Sequence, residues 1–262
     1  AAFFAGAPLD LTAKNNALAV AEAVKGKVLP TGSVRVPVGE QVSAMPGFTA
    51  GDWWVQDAAA AVPARVLNAQ PGEQILDLCA APGGKTLQLV SGGGTVTAVD
   101  ISAGRMERVA QNLVRTKLQA DIQVADIFDI NGQYDAILLD APCSATGTIR
   151  RHPDLPFAKD GSDFADLIDT QGRMIDHALT LLRPGGRMVF CTCSLLPDEG
   201  EVQIDEALGR HSNLMVDRTA LDINGIDPKW ITEEGGLRLR PDFWADNGNM
   251  DGFYLACLRK TV

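Results

Sequence analysis

The segment at residues 77–86, DLCAAPGGKT, constrains the fold of this chain more than any other segment. It follows a short apolar run at 74–76 and leads into a second one at 86–90, which predicts a strand, a turn of small residues and the start of a helix. Such a turn lets a ligand approach bare backbone N–H groups at a helix N-terminus. The alternative, which this segment leaves open, is a βα turn that binds nothing.

An acidic residue closes the next apolar run. Asp100 follows the residues TVTAV at 95–99. An acid about 20 residues beyond a glycine turn, at the end of the second strand, commonly binds the ribose hydroxyls of a nucleotide. The turn lacks the GxGxxG pattern, so a plain dinucleotide site fits poorly.

Strands and helices alternate from residue 74 onward. The predicted strands are 74–77, 95–100, 121–125, 134–140 and 186–192, and the predicted helices between them are 85–90, 103–117 and 163–182. A last apolar run at 252–258 predicts a further strand, antiparallel to its neighbours. The alternation predicts an α/β fold with a largely parallel sheet that is covered on both faces.

Residues 1–50 are predicted to form a small, separate N-terminal piece. Apolar spacing predicts a helix near 18–24, and alternation over 33–38 predicts a strand. The piece looks incomplete as an independent fold and the chain does not begin with Met, so we expect upstream sequence to be missing.

Residues 51–262 are predicted to form the main domain, which opens with a helix over 51–68. Trp53 and Trp54 lie in this segment. They either cap a pocket or, as is commoner for aromatic residues beside an Ala-rich helix, pack in the core.

Composition narrows the class of protein. A net charge of −10 argues against a general polyanion binder, although it allows a local basic patch. No apolar run is long enough to cross a membrane, and the first residues make a poor signal peptide. Five cysteines, an odd number, favour a reducing, cytoplasmic setting.

Acids and thiols collect where the predicted strands end. In open parallel sheets, ligands bind beyond the carboxyl ends of the strands. The reactive residues at these ends are Asp77, Cys79, Asp100, Asp126, Asp140, Cys143, Cys191 and Cys193. This clustering predicts that one rim of the sheet is the functional site.

The cysteines at the rim allow three interpretations. The first is a disulfide or a metal pair, of which zinc is disfavoured, because Cys191 and Cys193 lack a second paired set and the three histidines lack ligand spacing. Burial as small apolar side chains is expected for Cys79, Cys191 and Cys257. A nucleophile needs an exposed, polar position at a strand tip, which Cys193 and Cys143 match best.

Five longer motifs together resemble one family. DLCAAPGGKT, AVDIS, VADIFD, DAPCSATGTIRRHPD and VFCTCSLLPDEGE are similar to those of the Sun/Fmu (RsmB-type) family of RNA (cytosine-5) methyltransferases, over residues from about 46 to 260. The resemblance implies a class I methyltransferase (Rossmann-like) sheet of seven strands, mostly parallel with the last antiparallel. It also implies that the first residues are the back half of a small α+β RNA-binding piece.

The resemblance also implies a cofactor and site residues. The cofactor would be S-adenosylmethionine, held by Cys79, Ala80, Ala81, Pro82, Gly83, Gly84, Lys85, Asp100, Asp126 and Asp140. Cys193 would be the nucleophile and Cys143 would assist release of the methylated product. Asp140 and Lys85 would lie near the target cytosine. No metal is implied.

Two positions depart from the family pattern, although neither removes a catalytic group. Ala145 stands where Gly is usual, and Cys191 stands where the family often has a hydroxyl residue.

The basic residues after Cys143 bear on RNA binding. Arg150, Arg151, His152 and Lys159 form either a local phosphate-binding face or a solvated loop.

The leading interpretation is a monomeric cytoplasmic enzyme that methylates carbon 5 of a cytosine in single-stranded or looped RNA, with ribosomal RNA as the expected substrate. An alternative is a non-catalytic RNA-binding or ribosome-assembly factor on the same fold. A small-molecule methyltransferase or a nucleotide-dependent dehydrogenase is a third.

Overall fold

Two sheets organise the chain, whose computed structural model describes residues 6–37, 39, 41–158 and 161–261. The strands are β1 (Leu9–Ala13), β2 (Lys27–Val28), β3 (Val34–Val36), β4 (Trp53–Val55), β5 (Gln74–Leu78), β6 (Thr95–Asp100), β7 (Asp121–Val124), β8 (Tyr134–Asp140), β9 (Leu182–Thr192), β10 (Leu214–Val216), β11 (Leu237–Leu239) and β12 (Phe253–Lys260). The α-helices are α1 (Ala17–Ala23), α2 (Val62–Leu67), α3 (Gly84–Ser91), α4 (Ala103–Thr116), α5 (Leu155–Ala158), α6 (Phe164–Leu181) and α7 (Glu201–Arg210).

The large sheet has the strand order β10-β12-β9-β8-β5-β6-β7. Strands β9, β8, β5, β6 and β7 are mutually parallel, whereas β12 runs antiparallel to β9 and β10. This confirms the predicted sheet of seven strands with an antiparallel last strand. The short strand β11 pairs with the first residues of β12, ahead of those that pair with β10, and was not expected from the sequence.

Helix predictions in this region agree closely with the structure. Helices α3, α4 and α6 differ from the predicted segments by at most one residue at either end. Strand β9 begins at Leu182, four residues before the predicted start at 186, because pairing with β8 already begins between Leu182 and Tyr134.

Helices cover both faces of the large sheet, and β8 shows how. Its alternate residues point to opposite faces. Ile137 and Leu139 join the core that includes α6 and α7, whereas Ala136 and Leu138 join the core that includes α2. Because both faces are covered, the carboxyl ends of the parallel strands form the exposed rim of the sheet.

Within the described ranges, no helix combines the length and the apolar character needed to span a bilayer.

The small sheet has the order β2-β3-β1-β4 and is antiparallel. Strand β3 lies within the strand predicted over 33–38, whose Val38 is outside the described residues. The placement of the domain boundary after residue 50 stays a prediction, although the last strand of the small sheet extends to Val55.

The helix predicted over 51–68 was wrong in its first half. Trp53–Val55 is strand β4, which pairs with β1, and α2 begins only at Val62 with Pro63 in its first turn. Burial explains the difference, because Trp53 is fully buried in the core of the small sheet. Trp54 is also buried, which confirms the expectation that both aromatic rings pack in the core, although each tryptophan also lines a cavity.

A cluster of four charges, of which all but Arg151 are buried, links three distant segments of the chain. Arg150 and Arg151 each pair with both Asp57 and Asp251, and Arg150 is only 4% exposed. Asp57 precedes α2, the arginines follow the loop after β8, and Asp251 precedes β12. Because each buried charge has two opposite partners, the cluster fixes the loop after β8 against the rest of the domain.

We predict that Arg150→Ala lowers the free energy of unfolding by about 3 kcal/mol, because it leaves two buried carboxylates with one cation between them. The control is Arg183→Ala, since the Arg183 side chain is 44% exposed and pairs with Asp135 at the surface. That change should cost no more than about 1 kcal/mol. Urea denaturation measures both, and equal losses would contradict a structural role for the cluster.

Candidate active site

The parallel pairing of β8 with β9 brings two reactive loops together. Asp140, the last residue of β8, is the register partner of Cys191 near the end of β9. Beyond them, Ala141 N donates to Cys191 O at 3.0 Å and Gly147 N donates to Cys193 O at 2.9 Å. The loop that carries Cys143 therefore lies directly against the loop that carries Cys193.

The two thiols that the sequence singled out are in contact. Cys143 Sγ and Cys193 Sγ lie 3.5 Å apart, and both residues are partly exposed. Both line one cavity of about 430 Å³ at the rim. By contrast, Cys191 and Cys257 are fully buried, which confirms their assignment as packing residues.

A lysine–aspartate pair stands beside the thiols. Lys85 Nζ lies 2.7 Å from Asp140 Oδ2, and Cys191 Sγ donates to Asp140 Oδ1 at 3.4 Å. Burial alone would lower the pKa of Lys85, but Asp140 outweighs it, and together with the Cys191 and Cys193 thiols it raises this pKa. Lys85 is therefore a fixed ammonium group next to the thiol pair.

The pKa values of the two thiols move in opposite directions. The hydrogen bond from Cys143 lowers the pKa of Cys193, with Lys85 as a further cause, although burial opposes the shift. The same hydrogen bond and burial raise the pKa of Cys143 well above its usual range. Since the thiolate is the nucleophilic form, these shifts favour Cys193 as the nucleophile of the pair.

The rest of the cavity suits a nucleoside. Asp100 is 2% exposed, and its carboxylate accepts from Ser102 N at 2.9 Å and from Ala81 N at 3.2 Å. Asp126 lies on the same cavity, where apolar surface comes from Ile101 and Phe128. Carboxylates beside an apolar wall can bind ribose hydroxyls and a flat ring together.

The glycine turn after β5 faces two cavities. Cys79 lines the cavity of the thiols, and burial raises its pKa to about 12. Four residues of the turn, Ala80, Pro82, Gly84 and Lys85, are among those that line a second cavity, of about 320 Å³. Ala81 and Gly83 line neither cavity, although Gly83 precedes the first residue of α3 with a φ of +102°. Asp140 lines both cavities and so stands between them.

Asp77 is at the end of β5 but does not reach the rim. It is fully buried, and Thr86 Oγ1 donates to its Oδ2 at 2.6 Å. Burial raises the pKa of Asp77 to about 7. Its contact with Thr86 makes it a support for the start of α3.

Sequence reasoning missed two polar residues behind the thiols. Glu199 is 1% exposed and accepts from Ser144 N at 2.8 Å and from Gln171 Nε2 at 3.1 Å. Gln171 also donates to Pro142 O at 2.8 Å. A glutamine on the apolar stripe of α6 is a signal that could have been read, whereas nothing in the segment PDEGE distinguishes Glu199 from its acidic neighbours.

The basic residues after Cys143 do not form the free face that was one expectation. Arg150 and Arg151 are held by Asp57 and Asp251, so their charges are already neutralised. His152 is exposed, and Lys159 lies outside the described residues.

The loop of Cys143 shows why glycine is usual at position 145 in the family pattern. Ala145 has a φ of +60°, a left-handed conformation that glycine adopts without steric cost.

The strand order, with an antiparallel β12 between β9 and β10, defines a class I methyltransferase fold. Two solved structures share it over most of this chain. A methyltransferase homolog protein from Pyrococcus horikoshii has a TM-score of 0.77 and 26% identity, and the match covers 99% of this chain and 88% of that chain. NSun6 from Pyrococcus horikoshii with SFG has a TM-score of 0.72 and 26% identity, with 88% and 60% covered.

The chain belongs to the family described as 16S rRNA methyltransferase RsmB/F, whose sequence profile matches residues 64–259. Ribosomal RNA small subunit methyltransferase B from Cronobacter sakazakii is 41% identical over 235 residues, which are 87% of this chain and 52% of that protein. The protein of the same name from Shewanella oneidensis is 40% identical over 230 residues, 85% of this chain and 51% of that protein. The chain thus spans about half the length of these curated relatives.

We predict that Cys143→Ala raises the pH at which iodoacetamide alkylates Cys193. The variant loses the hydrogen bond that is the main cause of the lowered pKa of Cys193, so the thiolate forms only at higher pH. Alkylation rates across a pH series, assigned to Cys193 by peptide mass spectrometry, measure the shift. Cys257→Ala serves as the control because Cys257 is buried away from the rim, and an unchanged profile in Cys143→Ala would contradict the assignment.

Proposed function

We propose that this chain transfers a methyl group from S-adenosylmethionine to carbon 5 of a cytosine in RNA. The reaction passes through a covalent bond between Cys193 and the base, and Cys143 assists release. The observation that carries the proposal is the contact of the two thiols at 3.5 Å, beside the Lys85–Asp140 pair. Relatives named for methylation of small-subunit ribosomal RNA make that RNA the proposed substrate.

The rim fits the proposed cofactor. Asp100 and Asp126 offer carboxylates for hydroxyl and amine groups, and Ile101 with Phe128 offers an apolar wall for adenine. Asp140 stands where the cavity meets the thiols. The binding of SFG, an S-adenosylmethionine analogue, by a structural relative supports the same cofactor. When bound, this cofactor supplies an electrophilic methyl group on a sulfonium.

The Cys193 thiolate makes carbon 5 reactive. That carbon is a poor nucleophile while the pyrimidine ring is intact. Addition of Cys193 Sγ to carbon 6 breaks the conjugation and leaves an electron-rich carbon 5, which can accept the methyl group. The lowered pKa of Cys193 provides the thiolate that this step needs.

Lys85 and Asp140 stabilise the ring during the addition. Negative charge develops on the ring nitrogen and carbonyl oxygen of the cytosine, and the Lys85 ammonium can donate to them. The Asp140 carboxylate can accept from the exocyclic amine of the base. Their mutual contact at 2.7 Å holds both groups in place before the base arrives.

Cys143 acts in the last stage. The proton on carbon 5 passes to a base such as water, the double bond re-forms, and the bond between carbon 6 and Cys193 Sγ breaks to return a thiolate. Cys143, whose raised pKa keeps its proton, can donate a hydrogen bond to that departing sulfur. The Cys193 thiolate must approach the face of the pyrimidine ring, so the base must be unstacked. This favours single-stranded or looped RNA.

A ribosomal substrate is consistent with action in the cytoplasm, and the monomeric state stays a prediction.

The alternative of a non-catalytic assembly factor makes a different demand on the site. Such a factor needs an RNA-binding surface but no matched pair of thiols. The opposite pKa shifts of Cys143 and Cys193 therefore favour the enzyme.

We predict that RNA carrying 5-azacytidine forms a covalent complex with the wild-type protein in the presence of S-adenosylmethionine. Cys193→Ser should form none, and Cys143→Ala should accumulate an adduct even with unmodified RNA, because release is impaired. Denaturing gels measure both. Cys257→Ser is the matched control, and its adduct should equal that of the wild type. Equal adducts in all variants would contradict the proposal.

We predict that Asp100→Ala weakens S-adenosylhomocysteine binding by about 1–3 kcal/mol, the cost of losing buried hydrogen bonds. Calorimetry measures the affinity. Asp121→Ala removes an exposed acid from the neighbouring β7 and should leave it unchanged. Unchanged affinity in Asp100→Ala would remove Asp100 from the proposed site.

A further inference from the structure

The contact between the two thiols does not by itself decide which sulfur is charged. At 3.5 Å either sulfur can be the donor, and the pair loses its first proton as a unit. The groups that surround the pair must therefore break the symmetry. They differ on the two sides.

Lys85 acts on the side of Cys193. Its ammonium favours a thiolate there, although Asp140, which is paired with Lys85, partly opposes it. A positive group close to Cys193 lowers the free energy of the state in which Cys193 is the anion.

Glu199 acts on the side of Cys143. Its carboxylate accepts from Ser144 N, the amide that follows Cys143, and also from Ser144 Oγ. Gln171 donates to both Glu199 and the Pro142 carbonyl. Gln171 and Glu199 therefore hold the loop on either side of Cys143. Because Glu199 is 1% exposed, water screens its charge weakly.

A second set of contacts links Glu199 and Ser144 to the loop that carries Cys193. Ser144 Oγ lies 3.1 Å from Ser194 Oγ, and Thr192 Oγ1 donates to Glu199 O at 2.8 Å. Glu199 thus touches the residue after Cys143 with its side chain and the residue before Cys193 with its backbone. It contacts neither thiol in these hydrogen bonds, so its action on them is indirect.

We propose that Glu199 is a positioning residue that keeps the proton on Cys143 and leaves the negative charge to Cys193. It holds the loop of Cys143 through Ser144, and its buried carboxylate disfavours a second anion at Cys143. The inference rests on the proposed function only for the roles of the two thiols, since the assignment of the proton requires neither RNA nor cofactor.

The test is a competition between the two sulfurs for an alkylating reagent. Iodoacetamide below one equivalent reacts with a thiolate to form a thioether and iodide, so the share of label reports which sulfur is the anion. Peptide mass spectrometry gives the ratio of labelled Cys193 to labelled Cys143 at neutral pH. In the wild type we expect Cys193 to predominate.

Glu199→Gln keeps the size of the side chain and removes its charge. We expect the ratio of labelled Cys193 to labelled Cys143 to fall roughly tenfold, the effect of one nearby charge on a thiol. Asp198→Asn is the matched control, because it removes an exposed acid one residue away and should leave the ratio unchanged.

The buried thiols report whether a variant is folded. Cys191 and Cys257 are fully buried, so label on either marks a loss of structure rather than a change in the pair. If Glu199→Gln exposes them, Glu199→Asp carries the test, since it sets the carboxylate back by one methylene and should give an intermediate ratio. A wild-type ratio in the folded variant overturns the proposal. The assay is separate from covalent trapping on RNA, so either result can fail alone.

Discussion

The parallel pairing of β8 with β9 is the constraint on which the site depends. It sets Asp140 opposite Cys191, and the two chains then leave the sheet together at the same rim. A shift of one residue in this register would turn the end of β9 to the other face of the sheet and separate the thiols. The apolar side chains of the two strands, buried on both faces, oppose such a shift because every one of them would change its layer.

Charge is distributed unevenly around the two sulfurs, and this unevenness gives them different chemistry. Lys85 and Asp140 form a pair next to Cys193, whereas Glu199 lies behind the loop of Cys143. The buried cluster of Arg150 and Asp251 then anchors the far end of that loop. In the proposed arrangement, Glu199 serves both purposes, because it holds the loop of Cys143 and disfavours an anion there.

Much of the fold and of the candidate site could be predicted because both produce local patterns in the sequence. The alternation of strands and helices predicted the large sheet, and the strand ends predicted that Asp140 and Cys193 share a rim. What was missed depends on contacts between distant residues. Trp53 is in a strand because it pairs with β1. That partner lies some forty residues earlier, so the sequence around Trp53 does not reveal the pairing. Arg150 is buried because it pairs with Asp57 and Asp251. Each partner is about a hundred residues away, and no local pattern reveals such a pairing.

The central claim is that the sulfur of Cys193 bonds to the pyrimidine ring while Cys143 retains its proton. The most direct measurement uses RNA with 5-fluorocytidine, from which the adduct cannot be released because fluorine replaces the proton on carbon 5. Digestion and mass spectrometry of the trapped complex then locate the nucleotide. We expect a methylated nucleotide on the peptide that contains Cys193. A nucleotide on Cys143, or a complex with no cysteine–base bond, would contradict it.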